Sequence, residues 1–335
     1  MDSPIAADAT RDAPRPSPQY RRNNAALVAE VRDGLSRRHR ELPRRFLDDR
    51  AVADIRRTLE AIANDHLQRT EVPLLRTMIR QYRARRAIRR VVEVAPGGSS
   101  SILALLDAPA DHARIESYLA IDRSIDPAVE AVQRVANTDP HISAIPVTTD
   151  PTLTLPVRQS SGTIFACLGR ALSQLTTVPA IRMLRAIRAA MTLDDRLLVS
   201  LDLRDAATRI AATTDHTEFL TQWHRHALAV TNRDVGADFP LDHFYYCSRL
   251  DAENSRIEEG VACTGPTRIV CPGMNALLLR AGDHIRTVVD CLYDRAMLQS
   301  MLRGVGLSLE QWTPSTDGTR ALASAIVRFP DDGMP

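Results

Sequence analysis

The chain has 335 residues, 44% hydrophobic, with 43 Lys+Arg against 41 Asp+Glu and a formal net charge of +2. That length holds one large α/β domain or two smaller ones, and the near balance of charge gives no bulk attraction for a polyanion, so no nucleic-acid partner is expected. The five cysteines (Cys167, Cys247, Cys263, Cys271, Cys291) are odd in number with no C-x-x-C pair, which excludes a disulfide or zinc framework and fits reduced thiols in a cytoplasmic protein without a metal.

Met1 to about Asn24 is rich in Pro, Ala, Asp and Arg without a period and reads as a disordered tail with no signal-peptide core. Residues 25–90 carry helical periodicity: Leu27, Val28, Val31 and Leu35, then Ile55, Leu59 and Ile62, then Leu74, Leu75, Met78, Ile79 and Tyr82. The dense arginines from Arg76 to Arg90 read either as a nucleic-acid patch or, since few aromatics interleave with them, as a solvated helix face, the favoured reading. From Val91 the pattern alternates. Strands are predicted at 91–95, 118–122, 142–147, 163–168 and 196–201, with helices between them, notably Ala128–Ala136 and Val178–Met191. Such alternation predicts a parallel sheet covered by helices on both faces, an α/β fold. Helices at Ala206–Ala212 and Thr217–Val230 follow. Then come strands at Phe244–Ser248, Arg256–Cys263, Arg268–Val270 and Ala276–Leu279, a helix Tyr293–Arg303 and a last strand Leu322–Phe329. No apolar run reaches membrane-spanning length, so no membrane partner is expected.

The stretch Glu93-Val94-Ala95-Pro96-Gly97-Gly98-Ser99-Ser100-Ser101 reads as a strand, a small-residue turn and a helix start. Glycines let a ligand approach the backbone, and a helix N-terminus offers free N–H donors. The dinucleotide fingerprint G-x-G-x-x-G is absent, Pro96 stiffens the turn, and no Walker motif occurs. An acidic strand, a short glycine turn and an acid after the next strand, Asp122, suit S-adenosylmethionine (SAM) better than NAD or ATP, because SAM has no phosphates. The competing reading is a buried turn with no cofactor. In a parallel sheet ligands sit at the carboxyl ends of the strands, and Asp122, Asp150, Gly169 and Asp202 fall at or near such ends. Asp122 is expected to hold a ribose diol. Asp150 is read either as a partner of the adenine amine or as an ordinary Asp-Pro turn. Arg170 is read either as a carboxylate partner or as a solvated arginine. His224 and His226, at i and i+2, do not share a helix face, so no metal site is expected there.

These residues resemble the histidine-specific Nα-methyltransferases of ergothioneine biosynthesis and their fungal relatives that N-methylate a prenylated tryptophan. The resemblance runs in order from about Leu42 to Phe329. Pro43-Arg44-Arg45-Phe46-Leu47-Asp48 resembles the family's P-K-x-F-Y-D, and Arg69-Thr70-Glu71 its T-R-T-E. Glu93 to Gly97 with Leu105-Leu106-Asp107 resembles E-L-G-S-G with a downstream L-L-D. Leu168-Gly169 resembles F-L-G-S, and Leu201-Asp202-Leu203 resembles G-x-D-L. The most specific block, Thr231-Asn232-Arg233-Asp234-Val235-Gly236-Ala237-Asp238-Phe239, resembles N-R-E-L-G-A-D-F, and Ala281-Gly282-Asp283-His284-Ile285-Arg286-Thr287 resembles A-G-E-x-I-x-T.

The resemblance implies a Rossmann-like SAM-dependent methyltransferase core with a smaller α+β substrate-binding domain. Residues 25–90 would contribute to the substrate lobe, 91–205 form the SAM-binding core, 206–285 form the substrate lobe and 286–335 return to the core. The implied SAM contacts are Glu93, Ala95, Gly97, Gly98, Ser99, Asp122, Arg123, Asp150, Leu168 and Gly169. The implied substrate contacts are Phe46, Leu47, Arg170, Gln174, Trp223, His226, Val288 and Asp290.

The departures bear on the substrate. The family's pocket tyrosine in F-Y-D falls on Leu47, its Y-Y pair on His66 and Leu67, and a further pocket tyrosine on Thr213. The asparagine that holds the substrate's α-amino and carboxylate end falls on Gln174. Its T-E-x-S, whose Glu and Ser bind the imidazole, falls on Thr287-Val288-Val289-Asp290, and the lysine of its SAM loop falls on Ser101. Leaving a polar substrate group unpaired costs about 1–3 kcal/mol. The expectation is therefore methyl transfer to a nitrogen of an amino acid or an amino-acid-derived compound of secondary metabolism, a small molecule other than histidine. The alternative is a catalytically degenerate partner or regulatory protein.

Overall fold

A computed structural model describes residues 18–83, 88–97, 100–106, 114–204 and 216–328. The sequence expectations for residues 1–17, Gly98, Ser99, Asp107, Ala206–Ala212, Thr213 and Phe329 lie outside them. Helix α1 (Pro18–Leu35) begins inside the stretch read as a tail, with proline in its first turn, where the missing N–H costs nothing. Helices α2 (Ala53–Thr70) and α3 (Val72–Arg83) follow.

The predicted alternation builds a seven-stranded sheet. Its strands are β2 (Arg90–Val94), β3 (Ser117–Asp122), β4 (Ser143–Thr148), β5 (Thr163–Cys167), β6 (Arg196–Asp202), β12 (Leu307–Pro314) and β13 (Arg320–Val327), in the spatial order β12-β13-β6-β5-β2-β3-β4. From β4 to β6 neighbouring strands are parallel, and β13 returns antiparallel beside β6. Strands β5 and β6 are buried along their whole length, as continuous apolar runs must be in the middle of a sheet covered on both faces. Strand β4 is the edge. It carries Pro146 and a half-exposed Ile145, which an edge tolerates.

Helices α4 (Ser101–Leu106) and α5 (Ile125–Thr138) pack with α3 on one face, around Leu75, Met78, Ile102, Leu105 and Tyr118. Helices α6 (Thr177–Ala190) and α8 (Arg295–Gly304) cover the other, around Phe165, Met183, Leu184 and Leu302. The chain runs from β2 to β3 to β4 in one direction and then jumps to β5 and β6 in the other. The order therefore reverses between β2 and β5, and the crevice at their carboxyl ends is the topological switch point where such sheets bind ligands.

A second sheet has the order β1-β11-β8-β7, from β1 (Arg40–Glu41), β7 (Phe244–Asp251), β8 (Arg256–Cys263) and β11 (His284–Cys291). Strands β9 (Thr267–Ile269) and β10 (Leu277–Leu279) form a separate hairpin. Helix α7 (Thr217–Val235) packs on this sheet over a core of Val31, Leu35, Phe46, Leu47, Leu228, Val261 and Val288. It runs past its predicted end at Val230 and stops at Gly236, whose φ of 81° gives a left-handed cap. The sequence pattern did not reveal β11 and β12. A bulge interrupts each, between Arg286 and Val288 and between Leu309 and Gln311, so the two-residue alternation that marks a strand is broken. Because β11 belongs to the smaller sheet, the boundary read at 285 falls inside a strand, whose last residue, Cys291, already joins the core of the larger sheet.

Candidate functional site

The turn after β2 explains why small residues follow Val94. Ala95 takes φ 54° and Gly97 takes φ 52°, both left-handed, and the Ala95 N–H donates to the Ile121 carbonyl at 2.8 Å. A non-glycine residue there carries strain, since its Cβ crowds the next carbonyl. A side chain at Gly97 would meet nothing within 4 Å, so the turn opens onto free space at the switch point. Glu93 lies beneath it, fully buried, and accepts a hydrogen bond from the Tyr118 hydroxyl. Burial pushes its carboxyl up to about 7. Glu93 thus supports the strand from inside, and none of it reaches the crevice surface.

Asp122 ends β3, half-buried, and one oxygen accepts from the Ser124 N–H at 2.9 Å. Burial holds its carboxyl above the usual range. Its remaining lone pairs suit a diol, and this acid, the open glycine turn and the absence of a phosphate cradle fit the nucleoside part of SAM. Arg123 and Asp150 come together as an ion pair of 3.0 Å. Asp150 also caps its own turn, accepting from the Thr152 N–H at 2.9 Å and its hydroxyl at 2.7 Å, which is the turn reading of this residue.

Buried Leu168 and Gly169, with φ 62°, end β5 across the crevice. The Gly169 N–H donates to the Glu71 carboxylate at 3.0 Å, and its carbonyl accepts from Arg320. Glu71 also accepts from the Ser200 hydroxyl and pairs with Arg320 at 3.1 Å, while Arg320 pairs in turn with Asp202. Glu71, Arg320, Asp202 and Ser200 are all buried. Asp202, expected to be ready for a ligand at its strand end, is instead committed to Arg320. This network was missed. Glu71 entered the sequence reading only within a motif, and Arg320 lies 249 residues away from it.

The next residue, Arg170, pairs with Asp290 of β11, which is fully buried. The Cys291 N–H donates to the Ser173 carbonyl at 2.7 Å, and the Gln174 N–H donates to the Arg170 carbonyl at 3.0 Å. The loop 169–174 therefore bridges the cofactor edge of the larger sheet and β11 of the smaller one. Phe46 and Leu47 lie buried in a 3-10 turn, Arg44–Asp48, in one cluster with Val288 and Trp223. The Trp223 indole N–H donates to the Leu47 carbonyl at 3.2 Å. His226 does not join them. It turns to Asp49, 3.5 Å away, which also holds Arg233 at 2.8 Å. Its neighbour on the other helix face, His224, is the buried one, as the two-residue spacing requires. Arg44 in this turn acts electrostatically on both His224 and Asp122.

Among the described residues no cluster of His, Cys, Asp and Glu is able to hold a metal ion, and no helix is long and apolar enough to cross a membrane. The family model described as histidine-specific methyltransferase, SAM-dependent, matches residues 27–325. The histidine N-alpha-methyltransferase of Mycobacterium tuberculosis (strain CDC 1551 / Oshkosh) is 25% identical over 304 residues, covering 90% of this chain and 94% of that protein. The protein of the same name from Mycolicibacterium smegmatis is 24% identical over 316 residues, covering 90% and 95%. Among solved structures, the CcbJ methyltransferase from Streptomyces caelestis aligns with a TM-score of 0.45 at 15% identity, covering 76% of this chain and 95% of that one. The chain thus belongs to the histidine-specific, SAM-dependent methyltransferase family and is an enzyme with a Rossmann-like core whose cofactor is S-adenosyl-L-methionine.

Proposed function

We propose that this enzyme methylates a nitrogen of an amino acid or amino-acid-derived amine other than histidine. The observation that carries the reading is the pair of positions where the resembling family binds imidazole. Val288 is apolar and 3% exposed beside Phe46 and Leu47, and Asp290, fully buried, is committed to Arg170. An imidazole placed there would meet an apolar wall where it needs a hydrogen-bond partner, at a cost of about 1–3 kcal/mol. The relatives named for histidine are about a quarter identical to this chain, which leaves room for a different acceptor.

SAM supplies an electrophilic methyl group on a sulfonium. Asp122 accepts the ribose hydroxyls, and the turns at Gly97 and Gly169 let the ligand approach the backbone. Phe46, Leu47 and Val288 exclude water from the acceptor amine, and Arg170, neutralised by Asp290, faces its polar end. A neutral amine attacks once oriented and desolvated, so no strong general base is required. The test is incubation of the purified protein with SAM and a panel of the proteinogenic amino acids and their decarboxylated amines, read by mass spectrometry. A gain of one methyl mass on a non-histidine amine is expected. Turnover of histidine above every other acceptor refutes the reading.

A further inference from the structure

His224 is fully buried on the face of α7 that packs against the smaller sheet. Its ring lies edge-on to Trp223, with centroids 4.9 Å apart, and tilted against Tyr246 at 5.2 Å. Its Nδ1 lies 2.5 Å from the Thr287 hydroxyl. That hydroxyl donates to the Glu259 carbonyl at 3.4 Å, so it receives the Nδ1–H of His224. The imidazole is then the neutral tautomer with a bare lone pair on Nε2. Burial favours that state, pushing the group down to about 4, with Glu259 opposing and His284 and Arg44 assisting. Nε2 has no hydrogen-bond partner among the described residues. A buried acceptor left unsatisfied is costly, and such groups are normally paired.

The surroundings say what is missing. Thr287 adjoins Val288, Trp223 reaches Leu47, and both lie in the cluster that holds Phe46. His224 is thus a polar acceptor set in the apolar wall of the acceptor site. We propose that His224 determines specificity: its Nε2 accepts a hydrogen bond from a hydroxyl of the methyl acceptor, which is a small amine carrying one hydroxyl on an otherwise apolar body. The proposal rests on the amine-acceptor reading above and names the feature by which that acceptor is chosen.

The test uses the full-length enzyme with SAM and two pairs of probes that differ only in one hydroxyl: L-tyrosine against L-phenylalanine, and tyramine against phenethylamine. The wild type is expected to favour the hydroxylated member by about 10- to 100-fold in kcat/KM, the range of one unsatisfied buried polar group. His224→Phe should erase that ratio, and His224→Gln, which keeps an acceptor atom, should restore part of it. An equal loss on both members, or an unchanged ratio, overturns the proposal.

Nitrogen NMR of the histidines gives a readout that needs no turnover. An unprotonated Nε2 resonance that shifts on adding tyramine supports the assignment. A protonated Nε2, or a resonance unmoved at saturating tyramine, overturns it. SAM binding with no methylation of any amine counts against the amine reading alone, and the Nε2 resonance then decides His224 by itself.

Discussion

Glu71 sits 1% exposed beneath the cofactor crevice and satisfies three groups at once: the Gly169 N–H at 3.0 Å, the Ser200 hydroxyl and the Arg320 guanidinium at 3.1 Å. Glu71→Ala does not orphan a charge, because Arg320 keeps Asp202 and the pair that remains is neutral. It does strip the Gly169 N–H and the Ser200 hydroxyl of their acceptor, while the guanidinium keeps the Gly169 carbonyl and Asp202. Two buried donors at about 1–3 kcal/mol each, with a small cavity added, give about 3–5 kcal/mol, the range seen when one member of a buried pair is removed. Glu71→Gln keeps a carbonyl oxygen where Glu71 Oε2 accepts from the Gly169 N–H, the Ser200 hydroxyl and Arg320, so it should lose about half as much. The assay is urea unfolding, read as a midpoint shift at constant slope, together with calorimetric titration of SAM. With Gly169 at the carboxyl end of β5, beside the switch point of the sheet, SAM affinity should fall about tenfold in the alanine variant. A loss below about 1 kcal/mol with unchanged SAM affinity would show that the network does not hold the β5 turn.

Other substitutions separate the roles of neighbouring groups. Asp122→Asn should weaken SAM binding by about 1.5–3 kcal/mol, the worth of hydrogen bonds to a charged group, with little change in the unfolding midpoint; equal SAM affinity by calorimetry would remove Asp122 from the site. Glu93, pushed up to about 7 from an ordinary 4.5, adds stability that is fully present below pH 4.5 and lost as pH rises through 7, about 3 kcal/mol in all. Glu93→Gln should flatten that decline between pH 5 and 8 in urea midpoints, and a wild type with no decline to flatten contradicts the burial argument. His224 has the opposite sign. Pushed down to about 4 from 6.5, it contributes acid sensitivity as pH falls through that window, which His224→Gln should reduce. Ala95→Gly should be neutral to stabilising by about 1 kcal/mol in thermal unfolding, since glycine relieves the left-handed strain at φ 54° and adds back unfolded-chain entropy; clear destabilisation would mean the methyl group packs favourably.

The larger sheet was legible because its central strands are continuous apolar runs and its helices carry a steady period, so composition and local spacing sufficed. Its crevice was legible for the same reason: Gly97, Asp122 and Gly169 sit where strands end, and strand ends can be read locally. What was hidden depends on groups far apart in the chain. Glu71, Ser200, Asp202 and Arg320 look like unrelated polar residues on two helical and strand segments until the fold stacks them under Gly169. Strands β11 and β12 were hidden by bulges that shift their alternation by one residue, and with β11 went the true edge of the smaller sheet. The histidine pair shows the limit most directly. Sequence fixes that His224 and His226 cannot share a face, but choosing which one turns inward requires knowing which face of α7 the sheet covers. The sheet covers the face of Leu220, His224, Ala227, Leu228 and Thr231, a stripe at helical spacing in which the Thr231 hydroxyl donates to the Ala227 carbonyl of its own helix and the imidazole does not. A stripe that retains a buried imidazole nitrogen with no partner among the described residues is the basis on which the acceptor's chemistry becomes testable from this chain.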